Sequence, residues 1–239
     1  MALPKLNVPV YEAILPSTEK VIKYRPFLVK EEKILLTALE TEDTKSLSGA
    51  VRQIVNNCVQ GELDVDKLPT FDIEYLFLRL RAKSVGEKVT IGLKPYGCSK
   101  NKNGLCENTT EVEINLEEVK VTKNKASSSK IMLDDKIGIM MTYPNISQVG
   151  MKGSESEMGM NIIKSCIKMI FTEEETYESD SFADKELDEF IDSLNTKQME
   201  KIRDFFNSMP TLKHTVKYKC KTCNEEKETT VQGLNSFFS

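Results

Sequence analysis

The sequence contains no tryptophan and one histidine, His214, among its 239 residues. A single imidazole without a G-x-S-x-G segment excludes the usual Ser-His-Asp hydrolase arrangement. No apolar run approaches the roughly 20 residues that a membrane-spanning helix needs, so we expect no membrane partner. The first residues, MALPKLNVPVYEA, lack a basic stretch followed by an apolar one, and we expect no secretory signal and an intracellular protein.

Cysteine is also scarce, and the number of cysteines limits the roles that they can have. Six cysteines in a chain of this size argue against a disulfide scaffold and leave metal binding or simple burial. The net charge of −4 does not favour general nucleic-acid binding. The remaining composition, with 39% hydrophobic and 29% charged residues, is typical of a globular protein of one elaborate domain or two small ones.

The first third of the chain reads as a hairpin followed by helices. The strand-like segments VPVYEAIL and KVIKYRPFL flank the turn residues Pro16, Ser17 and Thr18, which predicts the hairpin. Apolar residues at helical spacing in VKEEKILLTALE, TKSLSGAVRQIVNNCV and FDIEYLFLRLRAKS predict three helices. The third has Thr70 as a candidate cap and a cationic edge, with Arg79, at its C-terminal end.

The rest of the chain predicts an α+β fold. Alternating patterns in KVTIGLKPYG, TTEVEINLEEVKV, KIMLDDKIGIMMTYP, HTVKYKC and KETTVQGL indicate strands. NIIKSCIKMIF, DKELDEFIDSL and NTKQMEKIRDFF read as helices, the last with Asn195 and Gln198 at capping-box spacing. We therefore expect an N-terminal hairpin with helices over residues 1–87, a split zinc-ribbon-like β region over 88–147 and 211–239, and a helical insertion over 148–210.

Four cysteines form the strongest chemical pattern. YKCKTCN places Cys220 and Cys223 in a C-x-x-C turn, and YGCSKNKNGLCEN places Cys98 and Cys106 in a second polar turn. A C-x-x-C segment can be a redox centre, half of a zinc site or a coincidence. Because all four lie in polar, lysine-rich turns, where burial for packing is a poor explanation, we expect them to bind one structural Zn²⁺.

The other candidates favour ordinary structure. Cys58 and Cys166 lie on apolar helical faces and are expected in the core. His214 could replace a cysteine ligand, although an ordinary strand position is the simpler interpretation. A zinc ion held by thiolates alone would be structural, and no motif supplies catalytic residues, so we expect no enzyme.

Three strings resemble a known family. KYRPFLVKEEKILLTALE, FDIEYLFLRLRAKSVGE and the knuckle YKCKTC with its tail KETTVQGLNSFF are similar to the baseplate hub proteins of T-even-like contractile-tailed phages. The resemblance implies a hub subunit or a hub-assembly factor, a chaperone-like role in virion assembly without covalent chemistry. The implied partners are other tail or hub proteins, including the tape measure protein. The implied locations are the host cytoplasm during assembly and the virion tail baseplate.

A second function class stays open. Zinc ribbons often bind nucleic acid, and the two cysteine turns carry lysines: Lys100, Lys102, Lys217, Lys219 and Lys221. The acidic net charge and the scarcity of aromatic residues among these lysines make nucleic acid the less favoured partner.

Overall fold

The computed structural model describes residues 6–41, 43–94, 108–122, 128–148 and 154–237. These ranges contain six α-helices and twelve β-strands, so the predicted α+β class is confirmed. The chain divides into two compact units, unit 1 with Met1–Thr122 and Thr211–Ser239 and unit 2 with Lys123–Pro210. None of the helices in the described ranges combines the length and apolar character that a membrane span requires.

Unit 1 begins with a small antiparallel sheet and two helices. The sheet has the order β1 (Tyr11–Ile14), β2 (Val21–Tyr24), β3 (Val59–Gln60), and the helices are α1 (Val29–Glu40) and α2 (Thr44–Cys58). The predicted hairpin is confirmed, with Ile14 opposite Val21. Asp43 caps α2, because its carboxylate accepts the backbone N–H groups of Lys45 and Ser46.

The third helix, α3 (Thr70–Ser84), contributes seven buried hydrophobic residues to the core of unit 1. Its most deeply buried hydrophobic side chains are at most 1% exposed and comprise Ile73, Leu76, Phe77, Leu78 and Leu80. A helix that is apolar over most of its circumference is expected inside a protein. The residue before it, Pro69, is the N-cap and makes no side-chain hydrogen bond, so Thr70 is the first helical residue rather than the cap.

The cationic edge of α3 is engaged within unit 1. Arg79 donates hydrogen bonds to the carbonyl oxygens of Leu116 and Val119, at 3.1 and 2.8 Å. Lys83 forms an ion pair of 2.6 Å with Glu117. These cations therefore hold the chain after the next hairpin against α3.

That hairpin pairs β4 (Lys88–Leu93) with β5 (Thr110–Asn115), and a short strand, β6 (Lys120–Thr122), follows it. Leu93 and Thr110 form the last pair of the hairpin before its connecting loop. The loop residues 95–107, which include Cys98 and Cys106, lie outside the described residues.

Unit 2 contains a four-stranded antiparallel sheet and three helices. The strands are β7 (Lys130–Met132), β8 (Gly138–Met141), β9 (Ile167–Phe171) and β10 (Thr176–Glu178), in the order β10-β9-β8-β7, and the helices are α4 (Glu155–Cys166), α5 (Asp184–Asp192) and α6 (Thr196–Asn207). The capping box of α6 is confirmed, with Asn195 and Gln198 in the predicted roles. The core joins sheet and helices, with Ile139, Ile163 and Ile202 buried in one cluster.

The prediction that residues 148–210 are a helical insertion is wrong for β9 and β10. The apolar run NIIKSCIKMIF begins in α4 and ends as β9, a central strand between β8 and β10. A short apolar run fits a buried helix and a buried strand equally well, so periodicity alone could not separate them. Gly138 lies opposite Phe171, where a Cβ atom would approach the Phe171 Cζ to 2.2 Å, so the ring occupies the space that glycine leaves.

The observed division also differs from the three predicted segments. The residues before 88 belong to the same unit as β4 and β5, because α3 packs against the chain that follows this hairpin. The segment KIMLDDKIGIMMTYP forms the paired strands β7 and β8, as its pattern predicted, but it belongs to unit 2, where β8 also pairs with β9.

The chain returns to unit 1 as β11 (Thr211–Lys219), which pairs with β12 (Glu226–Gln232) on one side and with β6 on the other. Thr211 lies opposite Thr122, so strand pairing joins the two points where the chain leaves and re-enters unit 1. A 3₁₀ helix, Leu234–Phe237, follows, and the Phe237 side chain is fully buried.

Candidate metal centre

The β11–β12 turn gives Cys220 and Cys223 a specific backbone geometry. The Cys220 N–H donates to the Glu225 carbonyl at 3.0 Å, and the Asn224 N–H donates to the Cys220 carbonyl at 2.9 Å. Asn224 has a φ of 63°, in the left-handed region that asparagine adopts more readily than most residues. The connection over residues 220–225 therefore reverses the chain between β11 and β12, and both cysteines lie in it.

The sulfur of Cys220 takes part in the turn. The Thr222 N–H donates to the Cys220 Sγ at 3.4 Å. A backbone N–H directed at a cysteine sulfur stabilises the thiolate form, which is the form that binds metals. The turn thus supplies a donor where a thiolate would carry its charge.

The burial of Cys220 is local to this turn. Its side chain is fully buried, and among the described residues the apolar side chain that packs against it is Cys223. The other buried cysteine of interest, Cys166, instead lies within a large cluster of aliphatic and aromatic side chains. Among the described residues, Cys220 therefore lacks the large apolar cluster that ordinarily buries a cysteine as a small hydrophobic residue.

The β4–β5 hairpin reaches this turn at the end where its loop begins. The buried Thr110 accepts the Lys221 N–H on its Oγ1 at 3.2 Å. Lys221 also forms an ion pair of 3.5 Å with Glu111, and Asn108 Nδ2 lies 3.5 Å from Thr222 Oγ1. The residue at which the described chain resumes after the loop therefore contacts the Cys220–Cys223 turn.

Sequence reasoning missed Thr110 and Glu111, although both carry the contact between the two hairpins. Neither residue belongs to a motif. Their role depends on a tertiary contact between residues about one hundred positions apart, which a linear pattern does not encode.

His214 is not placed to join the two cysteines. It lies within β11 opposite Val231, six residues before Cys220. At about 3.3 Å per residue, six strand residues separate the two backbone positions by roughly 20 Å. One metal ion cannot bridge that distance.

Cys58 and Cys166 are core residues, as predicted. Both are fully buried, and burial raises the pKa of each thiol to about 11. A thiol with such a pKa is almost entirely protonated at neutral pH and is a poor nucleophile and metal ligand.

The four-cysteine zinc site stays a prediction. Within the described ranges, no group of three or more His, Cys, Asp or Glu side chains is placed to hold a metal ion. Cys98 and Cys106 lie outside those ranges. What the structure describes is the C-terminal half of the predicted site and the contact that joins it to the β4–β5 hairpin.

The residues Arg25, Pro26 and Phe27, within the family-like string KYRPFLVKEEKILLTALE, form a structural corner between β2 and α1. Arg25 donates to the carboxylate of Glu31 at 3.0 Å and to the Asn57 carbonyl at 2.9 Å. Burial alone raises the pKa of Glu31, but hydrogen bonds from Arg25 and the Leu28 N–H outweigh it and hold this pKa below its usual value. Arg25 and the fully buried Glu31 carboxylate together thus join the end of β2, the start of α1 and the end of α2.

Comparison with known proteins identifies the family. The family described as T4 bacteriophage base plate protein matches residues 8–239. Neither the curated proteins nor the solved structures gave a significant match. Since the family match spans nearly the whole chain, the chain belongs to the T4 bacteriophage base plate protein family.

Proposed function

We propose that the protein is a baseplate hub subunit or a hub-assembly factor that acts by binding other tail proteins. The observation that carries the proposal is the family match over residues 8–239, together with the hub-like strings around Arg25, α3 and Cys220. A baseplate family supports a structural, non-enzymatic role in the virion tail. Assembly of the hub would take place in the host cytoplasm.

Helix α1 offers the surface for this binding. Four apolar side chains of α1 and its N-cap are strongly exposed, at 65% for Val29, 53% for Leu36 and 41% each for Leu28 and Leu39. At 100° per residue, they span an arc of about 100° around the helix. On the opposite side the helix buries Glu31 and Ala38.

This arrangement departs from the usual amphipathic pattern at Glu31, Leu36 and Leu39. A helix at a protein surface normally turns its leucines inward and its charged residues outward. Here the buried charge of Glu31 is compensated by Arg25, while Leu36 and Leu39 face solvent beside the exposed Glu32. An exposed apolar surface of this kind is typical of a binding site for another protein.

The partner that we propose for this surface is another hub protein or the tape measure protein, with a complementary apolar face. Co-expression with the neighbouring tail proteins, followed by affinity purification, tests the proposal. The double variant Leu36→Glu/Leu39→Glu should lose the bound tail protein, because each substitution places a charge in the apolar contact. Its matched control, Lys33→Glu, changes charge on the same helix beside the apolar arc and should retain the partner.

Two results would contradict the proposal. One is the absence of any tail protein in the purified sample together with normal tails in infections that lack this protein. The other is unchanged co-purification of the folded double variant. A concentration-dependent dimer of the purified chain that the double variant abolishes would instead assign the α1 surface to a second copy.

Nucleic-acid binding is the competing function, and the surface of the β11–β12 hairpin disfavours it. Lys217 is ion-paired with Glu228 at 3.7 Å, and Lys219 lies opposite Glu226. These carboxylates would repel phosphate groups beside each lysine. Retention on heparin or single-stranded DNA at moderate salt would reverse this preference.

A further inference from the structure

We infer that Cys220 and Cys223 are two ligands of a structural Zn²⁺ that binds at the contact between the β4–β5 and β11–β12 hairpins. This inference is independent of partner binding. It rests on three features of the described turn: the N–H···S hydrogen bond of Thr222, the left-handed Asn224, and a fully buried Cys220 whose apolar neighbour is Cys223.

The turn favours a metal ligand pair over a redox pair. In a redox C-x-x-C the first cysteine lies at the N-terminus of a helix, whose dipole lowers its thiol pKa. Here the pair connects β11 to β12, and no helix begins between these two strands. Two thiolates on one tight turn with a backbone N–H directed at the sulfur are typical of half of a tetrahedral zinc site.

Zinc is the metal that suits these ligands. Thiolates are soft ligands and select zinc over magnesium or calcium, which prefer oxygen ligands. A tetrahedral thiolate site needs two further ligands, and the sequence supplies Cys98 and Cys106 between β4 and β5. The Lys221–Thr110 hydrogen bond holds the described end of that connection at the turn.

The structure also limits what the metal would do. Zinc is not needed to fasten the two points where the chain leaves and re-enters unit 1, because Thr122 and Thr211 are already joined by β6–β11 pairing. The ion would therefore stabilise the contact between the two hairpins of unit 1. Its removal should leave the core of unit 2 unaffected.

Metal analysis of the full-length protein, purified without chelators, tests the inference. We expect about one equivalent of zinc per chain, a charge-transfer and d–d spectrum typical of tetrahedral thiolates after exchange for Co²⁺, and scalar coupling from ¹¹³Cd to the Hβ protons of Cys220 and Cys223. Cys223→Ser should lose the metal. Cys58→Ser, which changes a buried cysteine elsewhere, should retain it.

Less than about half an equivalent of zinc in the wild-type protein, which zinc addition and dialysis do not raise, would overturn the inference. So would ¹¹³Cd coupling to other cysteines without any coupling to Cys220 and Cys223. A Cys220–Cys223 disulfide in protein isolated from a reducing cytoplasm would also overturn it. The wild-type measurements decide the question even if a cysteine variant fails to fold.

Discussion

At the scale of single residues, two arginine–carboxylate pairs show how burial decides what an ion pair contributes. The Arg25 side chain is 17% exposed and its partner Glu31 is fully buried. The Arg52 and Asp66 side chains are 46% and 52% exposed. Water compensates a broken surface pair, whereas a buried carboxylate that loses its cation depends on its remaining partners, here the exposed Lys30 at 3.3 Å.

Arg25→Ala is therefore expected to destabilise the protein by about 3 kcal/mol. The matched control, Arg52→Ala, should cost less than about 1 kcal/mol. Because the pKa of Glu31 is held below its usual value, the stability that its ionised form contributes is present near neutral pH and is lost as the pH falls through that pKa. The effect of Arg25→Ala should accordingly diminish in acid. Urea denaturation at several pH values measures it, and equal losses for both variants would contradict the expected role of Arg25.

Glu74 presents the opposite case. Burial raises its carboxyl pKa, and a hydrogen bond of 3.4 Å from the Leu234 N–H only partly offsets the effect. A carboxyl with a raised folded-state pKa favours folding below its unfolded-state pKa and loses that contribution as the pH rises through the folded-state value. The ionised form therefore costs stability at neutral pH.

Glu74→Gln should raise the thermal midpoint near neutral pH, because the amide keeps an acceptor for Leu234 without a charge to bury. The gain should disappear in acid, where the wild-type carboxyl is protonated. Thermal melts across the acid-to-neutral range measure this difference, with the exposed Glu40→Gln as the control. A lower midpoint for Glu74→Gln at neutral pH would refute the expectation.

At the scale of elements, sequence patterns predicted most helices and hairpins but not which face each helix buries. The capping box at Asn195 and the turn at Pro16–Thr18 are local signals, and both occur as predicted. For α1, the apolar spacing in VKEEKILLTALE predicted the helix, yet Leu39 is exposed and Glu31 is buried. Periodicity identifies an amphipathic helix, but the partner on each face is a tertiary property.

For the candidate metal centre, too, the sequence predicted the local structure but not the tertiary contact. The C-x-x-C spacing predicted a turn between two strands, and the structure has that turn between β11 and β12. The contact through Thr110 could not be predicted, because it joins residues that are distant along the chain. The local sequence was thus enough to identify the cysteines, whereas the contact of the β4–β5 hairpin with their turn follows only from the tertiary fold.

At the scale of the whole molecule, the chain consists of a split unit and a continuous one. The chain leaves unit 1 at Thr122 and returns to it at Thr211, and these two residues lie opposite each other on paired strands. Insertions whose ends are close are tolerated because they do not require the host unit to distort. The core of unit 2 is also drawn from its own residues.

We therefore expect a fragment of residues 123–210 to fold without unit 1. Its described contacts include a Tyr143–Phe205 ring stack of 5.2 Å and hydrogen bonds from Lys201 to the carbonyl oxygens of Met132 and Leu133, at 2.7 and 3.1 Å. These contacts join α6 to the sheet across about seventy residues, so a cooperative transition would report the native packing and not only local helix formation.

The fragment should show a cooperative thermal transition and dispersed amide resonances. Ile202→Asp, which places a charge in the buried cluster, should abolish both. A fragment that melts gradually, like the Ile202→Asp control, would show that unit 2 depends on unit 1 for its fold.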